Sequence, residues 1–190
     1  MFYEIEAKSH VRVQPSNFNL DIKKAVLESL KTKFENYISK DFGIIVGVSE
    51  ILSTGDGILI PGDGAAYYET KFKVVAFKPE MNEVIQGDVT QIADFGAFIN
   101  LGPIDGMIHV SQTMDDFVSF NKSGTLQGKE TKKVLKVGDI CHARTIAISY
   151  KEMNNPKIGL TMRQPWLGNI NWIEDDLKKQ KDKDKEEKKK

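Results

Sequence analysis

The alternation of apolar and polar positions changes along the chain and divides it into an α/β first part and a mostly β second part. Residues 2–13 alternate with a period of two, which predicts a strand with a slip near His10. A helix is predicted from a cap at Asn19 or Asp21 to about Ser39. Its apolar stripe has spacings of three and four and comprises Ile22, Val26, Leu27, Leu30, Phe34, Tyr37 and Ile38.

The rest of the first part is predicted to be β structure interrupted by glycine-rich turns. Two turns are predicted within ten residues, and their signals are Gly55, Gly57, Pro61, Gly62 and Gly64. The predicted strands are residues 43–53, 58–60 and 67–77, and a Lys-Pro-Glu sequence ends the last one. The pattern therefore predicts a first domain, residues 1–80, with the order β-α-β-β-β.

The second part carries short apolar runs punctuated by glycines, which is typical of a curled sheet. The predicted strands are residues 85–91, 96–101, 106–110, 135–148 and 157–163, with a turn at 154–156. The polar stretch 112–128 is predicted to be a loop, and residues 172–177 a helical turn. We expect a second domain at residues 81–168 and an extension at 169–190 whose charged tail is solvated, either helical or disordered.

The cysteine count, the lengths of the apolar runs and the charge distribution limit the classes of function that the chain can have. The single cysteine, Cys141, excludes an internal disulfide and fits a reducing, cytoplasmic location, and no apolar run approaches membrane-spanning length. Residues 1–80 hold 10 basic and 11 acidic side chains, residues 81–177 hold 9 and 12, and residues 178–190 hold 8 and 4. Because the predicted domains are not basic, strong salt-driven binding to duplexes is not favoured, and any RNA binding should be weak or assisted by a partner.

Two phenylalanines in the second part are candidates for base stacking. Phe95 and Phe98 flank Gly96, and a bend at this glycine would bring both rings to one outer surface. Exposed aromatic rings give a sequence-tolerant platform for single-stranded nucleic acid. The alternative is that both rings belong to the core, where large aromatic side chains usually lie.

Residues 87–111 contain, in order, Gly-x-Val, Asp-Phe-Gly-Ala-Phe-Ile and Gly-x-Ile-His-Val-Ser. This run resembles the opening of the S1 RNA-binding domain, a five-stranded OB-type barrel. The resemblance implies that Phe95, Phe98 and His109 lie on the RNA-facing surface. The family often carries an Asp where this chain has Ser149 or Tyr150.

Cations near the implied RNA face are Lys151, Lys157 and Arg163, and we expect Lys157 and Arg163 to contact phosphates.

No catalytic or metal-binding motif is found. His109 has no second set of ligands at metal spacing, and no Ser/His/Asp elbow or Cys/His pair is set up for nucleophilic catalysis. The Gly/Asp turns do not match phosphate-binding loops, so hairpin turns are the better interpretation. Two such turns close together would make a projecting loop, which is a common place for partner binding. We therefore expect no catalytic residues, no metal and no cofactor.

Segments along nearly the whole chain are similar to the E-prime family, the larger stalk subunits of archaeal RNA polymerase. They are residues 1–3, 13–16, the single long helix, 58–64, 72–79 running into 83–89, and 159–165. The resemblance implies an α+β tip domain, a truncated ribonucleoprotein-like fold with one helix on an antiparallel sheet, followed by the S1 barrel.

The same resemblance implies partners and a role. The tip would dock on the polymerase core through the loop that holds Gly55, Gly57, Pro61, Gly62 and Gly64, and the S1 domain would lie beside the single-stranded transcript. The smaller, helical stalk polypeptide of the polymerase, called F, would complete a 1:1 heterodimer that assists promoter opening, elongation and termination. Two alternatives stay open: an RNA-binding module of an exosome or translation complex, and a nuclease with an accessory S1 domain, which would need a paired-carboxylate metal cluster that the sequence lacks.

Overall fold

A computed structural model of the chain describes residues 1–121, 124–152 and 156–187. The chain divides into two units, Met1–Lys78 and Pro79–Lys190. The first unit holds β1 (Phe2–Val13), α1 (Ile22–Phe34), β2 (Ile38–Ser39), β3 (Gly43–Leu59) and β4 (Ala66–Phe77). Its strands form one antiparallel sheet in the order β1-β4-β3-β2.

The core of the first unit lies between α1 and one face of this sheet. Every second residue of β1 points inward, and its register against β4 is continuous from Phe2 opposite Phe77 to Val13 opposite Ala66. The slip expected near His10 is therefore wrong. The fully buried side chains are contributed by both layers: Val11, Val13, Val26, Leu30 and Phe72.

The helix is shorter than predicted. It ends at Phe34 because Asn36 adopts a left-handed backbone conformation, with φ of 62°, that a right-handed helix cannot continue. Asn36 N–H donates to the carbonyl of Ile45, and Ile45 N–H donates to the carbonyl of Tyr37, each at 2.9 Å. These bonds turn the next residues into β2, so the apolar Ile38 belongs to an edge strand and not to the helix stripe.

The turn predicted at Gly55–57 is also wrong. β3 runs without interruption from Gly43 to Leu59 and stays paired with β4, with a bulge between Thr54 and Gly57. A Cβ at Gly57 would lie 2.8 Å from the ring of Tyr68, so glycine lets that ring cross the strand. One hairpin loop, residues 60–65, remains where two turns were expected.

The described residues of the second unit form short strands and a terminal helix. They are β5 (Val84–Ala93), β6 (Gly96–Asn100), β7 (Asp105–His109), β8 (Val118–Asn121), β9 (Thr125–Gly128), β10 (Val134–Leu135), β11 (Ile140–Ser149), β12 (Lys157–Thr161), β13 (Gly168–Asn169) and α2 (Ile170–Glu187). Five of the strands pair in the order β12-β7-β6-β5-β11, and pairing of β11 with β12 closes the barrel. The predicted five-stranded barrel is thus confirmed.

The barrel core is filled by side chains that alternate inward along these strands. Strands β7 and β12 are parallel, and the other barrel pairs are antiparallel. The fully buried members include Val89, Ile99, Ile108, Ile158 and Leu160. Their neighbours in sequence on β6, β7 and β12 consequently face outward.

The stretch 112–128 is not the loop that was predicted. A short 3₁₀ turn, Val110–Gln112, leads to a separate sheet of β8, β9 and β10. Asp116 organises it, because its carboxylate accepts hydrogen bonds from the backbone N–H groups of Phe117, Glu130 and Thr131 and from the Thr131 hydroxyl. These donors lower the pKa of Asp116. Four-residue strands with mixed polar sequence carry too little periodicity to be recognised.

The C-terminal elements differ from the prediction in length. β12 ends at Thr161, short of the predicted 163. The helix α2 spans Ile170–Glu187, so it extends the helical turn predicted at 172–177 into the charged tail, for which a helix was one of the two predicted states. The predicted turn at 154–156 falls mostly on residues outside those described. No helix in the described ranges is both long and apolar enough to cross a membrane.

Candidate nucleic-acid interface

The outer face of β6, β7 and β12 gathers most of the predicted RNA-binding residues. Phe98 lies opposite Met107, and Gly96 lies opposite His109. Because alternate residues share a face, Phe98, Met107 and His109 lie on the same side, away from the buried Ile99 and Ile108. Gly159 of β12 lies next to Met107 and continues this face without a side chain.

The two aromatic rings are not core residues. Phe95 is 47% exposed, and Phe98 is half-buried. Their ring centroids are 6.0 Å apart with planes at 86°, an edge-to-face contact that fixes both rings. Neither ring is therefore fully buried in the barrel core, and stacking on bases stays a prediction at these positions.

Gly96 sets this geometry. A Cβ at residue 96 would collide with the backbone carbonyl of Ile108, so only glycine permits the close approach of β6 and β7 here. The backbone closes tightly beside it, with Val110 N–H donating to the carbonyl of Phe95 at 2.8 Å. The bend inferred from the sequence thus corresponds to a close approach of two paired antiparallel strands.

His109 is exposed and has a fixed ring. Its Nδ1 lies 2.8 Å from the Ser111 hydroxyl and accepts from Ser111 N–H at 3.3 Å. Since a backbone N–H can only donate, Nδ1 is the acceptor and the proton of the neutral ring lies on Nε2. His109 can therefore offer one donor, Nε2–H, to a ligand.

The two side chains expected to contact phosphates, Lys157 and Arg163, differ in location and in pairing. Lys157 begins β12 on the outer face, exposed and opposite Ser149. Arg163 is already paired, since its Nε donates to Asp115 Oδ1 at 2.8 Å. The structure thus brings Lys157 to the aromatic face, whereas Arg163 lies beside the Ser111 turn in a groove with Asp115.

Three residues of this region were missed by the sequence reasoning. Met107 lies on the outer face, and the alternation of Met107 with the apolar Ile108 could have placed it there. Ser111 orients the His109 ring. Phe117 is 74% exposed, and as a single aromatic within a polar stretch it carried no periodic signal.

Cys141 and the adjacent His142 are not arranged for nucleophilic catalysis. Cys141 is buried, and burial raises its pKa to about 12, so the thiol stays protonated at neutral pH. The neighbouring His142 lies 3.3 Å from Gln86 through Nε2. Within residues 1–121, 124–152 and 156–187, no three His, Cys, Asp or Glu side chains are grouped so as to hold a metal ion.

The five residues of the predicted docking loop lie in two different structural elements. Gly55 and Gly57 lie within β3, whereas Pro61, Gly62 and Gly64 lie in the hairpin loop after it. Of these, Gly62 has φ of 91°, which favours glycine.

Asp63 holds the hairpin loop to β1 and to β4. It accepts from Arg12 Nη2 at 2.7 Å and Nε at 3.0 Å, from the Tyr67 hydroxyl at 2.7 Å and from Ala65 N–H at 3.2 Å. These partners, the Arg12 guanidinium foremost, hold the pKa of Asp63 well below its usual range. The loop is therefore pre-organised, although it lies at the surface.

An apolar groove adjoins this loop. It encloses about 300 Å³ and is lined in part by Phe18, Leu20, Ile22 and Leu59. All four side chains are exposed, and Leu59 reaches 68%. Exposed apolar clusters of this kind mark interaction surfaces.

Comparisons with known proteins match both units. Residues 8–64 match the family model described as the SHS2 domain found in the N terminus of Rpb7p/Rpc25p/MJ0397, and residues 78–154 match the S1 RNA binding domain. The chain is 38% identical over 175 residues to DNA-directed RNA polymerase subunit Rpo7 of Saccharolobus solfataricus, covering 91% of this chain and 97% of that protein. The corresponding protein of Sulfolobus acidocaldarius is 36% identical over 180 residues, covering 94% and 98%.

A eukaryotic relative is more distant. DNA-directed RNA polymerase III subunit RPC8 of Saccharomyces cerevisiae is 31% identical over 114 residues, which cover 60% of this chain and 54% of that protein.

Proposed function

The chain belongs to the Rpo7 family of DNA-directed RNA polymerase subunits, and we propose that it is the non-catalytic larger stalk subunit of a cytoplasmic, archaeal-type polymerase. In this role the first unit, a ribonucleoprotein-like tip, docks on the polymerase core. The second unit binds the emerging single-stranded transcript. The protein thereby assists promoter opening, elongation and termination.

One observation carries the RNA-binding role: Phe95, Phe98 and His109 are exposed or half-buried together on one face of the S1 barrel. Two rings fixed edge to face can each stack on a base, and Nε2–H of His109 can donate to a base, ribose or phosphate. Lys157 supplies a cation on the same face for the RNA backbone. Since residues 81–177 hold more acidic than basic side chains, the affinity for RNA is modest.

The docking role is supported by the hairpin loop at residues 60–65 of the first unit. Pro61, Gly62 and Gly64 lie in a loop that Asp63 fixes in one shape, beside the exposed apolar groove. A rigid loop next to apolar surface loses little entropy on binding and gains from burial. Gly55 and Gly57 act indirectly in this account, by letting β3 reach the loop without a break.

In this proposal the chain also pairs with the small helical polypeptide F, which is called the F partner from here on. The open side of β3 supports this pairing. Within the described chain, β2 pairs only with Gly43 and Ile44, and the strand continues to Leu59. Val46 and Leu52 on this strand are exposed. Open strand edges with apolar side chains are usually covered in the native assembly.

Affinity purification tests the proposed assembly. The tagged full chain, expressed in an archaeal host, should recover the large polymerase subunits together with the F partner. Recovery of exosome ring proteins without polymerase would contradict the proposal and favour the alternative RNA-binding complex.

A further inference from the structure

A second groove opens where the aromatic face ends. It encloses about 450 Å³ within the second unit, and its lining includes Ser111, Asp115, Phe117, Glu130 and Arg163. The groove adjoins the aromatic face, because its lining residue Ser111 lies 2.8 Å from Nδ1 of His109. Its volume lies within the range of small-ligand sites.

Phe117 is presented to this groove by a fixed backbone. Its N–H donates to Asp116 at 2.6 Å, and its carbonyl accepts from Lys129 N–H at 2.9 Å. The side chain is nevertheless 74% exposed, the largest value among the large apolar side chains of the described residues. A largely exposed ring held on ordered backbone suits stacking on a planar ligand.

The polar groups of the groove are mostly acceptors. Asp115 uses Oδ1 to hold Arg163 Nε at 2.8 Å, and Glu130 lies exposed on the lining. The Asp116 carboxylate is occupied by the donors that organise the small sheet. With three acids and one arginine, the lining carries a net negative charge that disfavours phosphate, but carboxylates accept hydrogen bonds from the exocyclic amino groups of bases.

We propose that this groove is a nucleobase subsite for the single-stranded RNA that crosses the aromatic face, and that it selects a base with an exocyclic amino group. Phe117 stacks on the base, Asp115 and Glu130 accept from its amino group, and Arg163, oriented by Asp115, donates to a base carbonyl. This inference rests on the proposed RNA-binding function and adds a base preference to it.

Two ten-nucleotide RNAs of equal length and charge test the subsite. C10 carries the N4 amino group, and U10 carries an O4 acceptor in its place. We expect the full chain to bind C10 more tightly than U10 in fluorescence anisotropy. Phe117→Ala should weaken C10 binding roughly five- to 150-fold, as loss of one stacked base does. The double variant Asp115→Asn/Glu130→Gln should bind both RNAs equally.

Matched controls separate the subsite from general effects. Phe120→Ala removes another exposed ring of the same small sheet, and Asp105→Asn removes an exposed acid of β7; both should keep the preference for C10.

The outcomes distinguish the two proposals. If Phe98→Ala weakens binding but Phe117→Ala does not, the subsite is overturned while the RNA-binding function stands. If the chain binds neither RNA, both fail. If RNA binding is insensitive to Phe117→Ala but recovery of a polymerase polypeptide is lost, the groove is a protein contact and the subsite is overturned.

Discussion

Gly96 of β6 and His109 of β7 are cross-strand partners, and a Cβ at residue 96 would lie only 3.1 Å from the Cα of His109. The strands approach so closely at this pair that residue 96 has no room for a Cβ. Phe95 comes directly before this glycine in the sequence, and Phe98 lies two residues after it. The proposed RNA face thus depends on a backbone contact that carries no RNA-binding group itself.

Gly96→Ala should destabilise the barrel, because the new methyl group would press against the Ile108 carbonyl. Overpacking of this kind costs about 1–3 kcal/mol, and thermal unfolding would show it as a lower Tm. Gly47→Ala is the control, since a Cβ there meets open space. An unchanged Tm for Gly96→Ala would show that the strands can separate without cost.

Asp63→Asn should make the stability of the first unit less dependent on pH. The pKa of Asp63 is lowered in the folded state, so its contribution is complete above its ordinary pKa of about 4 and is lost as the pH falls. We expect the wild-type Tm to exceed that of Asp63→Asn at pH 7 and the two to converge as the pH approaches 2. A difference that is constant with pH would contradict the Arg12–Asp63–Tyr67 assignment.

Elements with a long, regular alternation of apolar and polar residues were predicted from the sequence. Element boundaries that depend on the backbone conformation of one residue were not. The twelve-residue alternation of β1 and the barrel strands around Val89 and Ile108 were found, because their buried faces dictate the pattern. The end of α1 was missed, because Tyr37 and Ile38 keep a helical spacing while the backbone of Asn36 leaves the helix.

The candidate site was partly predictable. The shared face of Phe95, Phe98 and His109 was implied by the resemblance of residues 87–111 to the S1 domain. Phe117 carried no periodic signal, and the Asp115–Arg163 pair joins residues 48 positions apart, which no local pattern reveals.

Bulk at Gly64 should weaken docking on the polymerase core. A Cβ at Gly64 has Pro15 as its nearest contact, at 3.7 Å, so Gly64→Trp adds volume without distorting the loop, whereas substitution at Gly62 also strains its positive φ. Core affinity measured by biolayer interferometry should fall while the heterodimer with the F partner persists. Unchanged core affinity of both Gly62 and Gly64 variants would count against the loop.

Co-expression with the F partner should raise the soluble yield of the chain and give a 1:1 heterodimer by light scattering. The physical reason is the exposed apolar surface, including Val46 and Leu52 on the open side of β3. A monomer that behaves equally well with and without the partner would refute this expectation.

The most direct test of the RNA-binding account measures RNA affinity and thermal stability on the same variant, Phe98→Ala. The half-buried ring should contribute mainly to stacking, so affinity for single-stranded RNA should fall by about 1–3 kcal/mol while the barrel loses well under the amount expected for a core phenylalanine. Loss of about 3–5 kcal/mol of stability, with RNA affinity retained at low temperature, would instead identify Phe98 as a core residue and contradict the account.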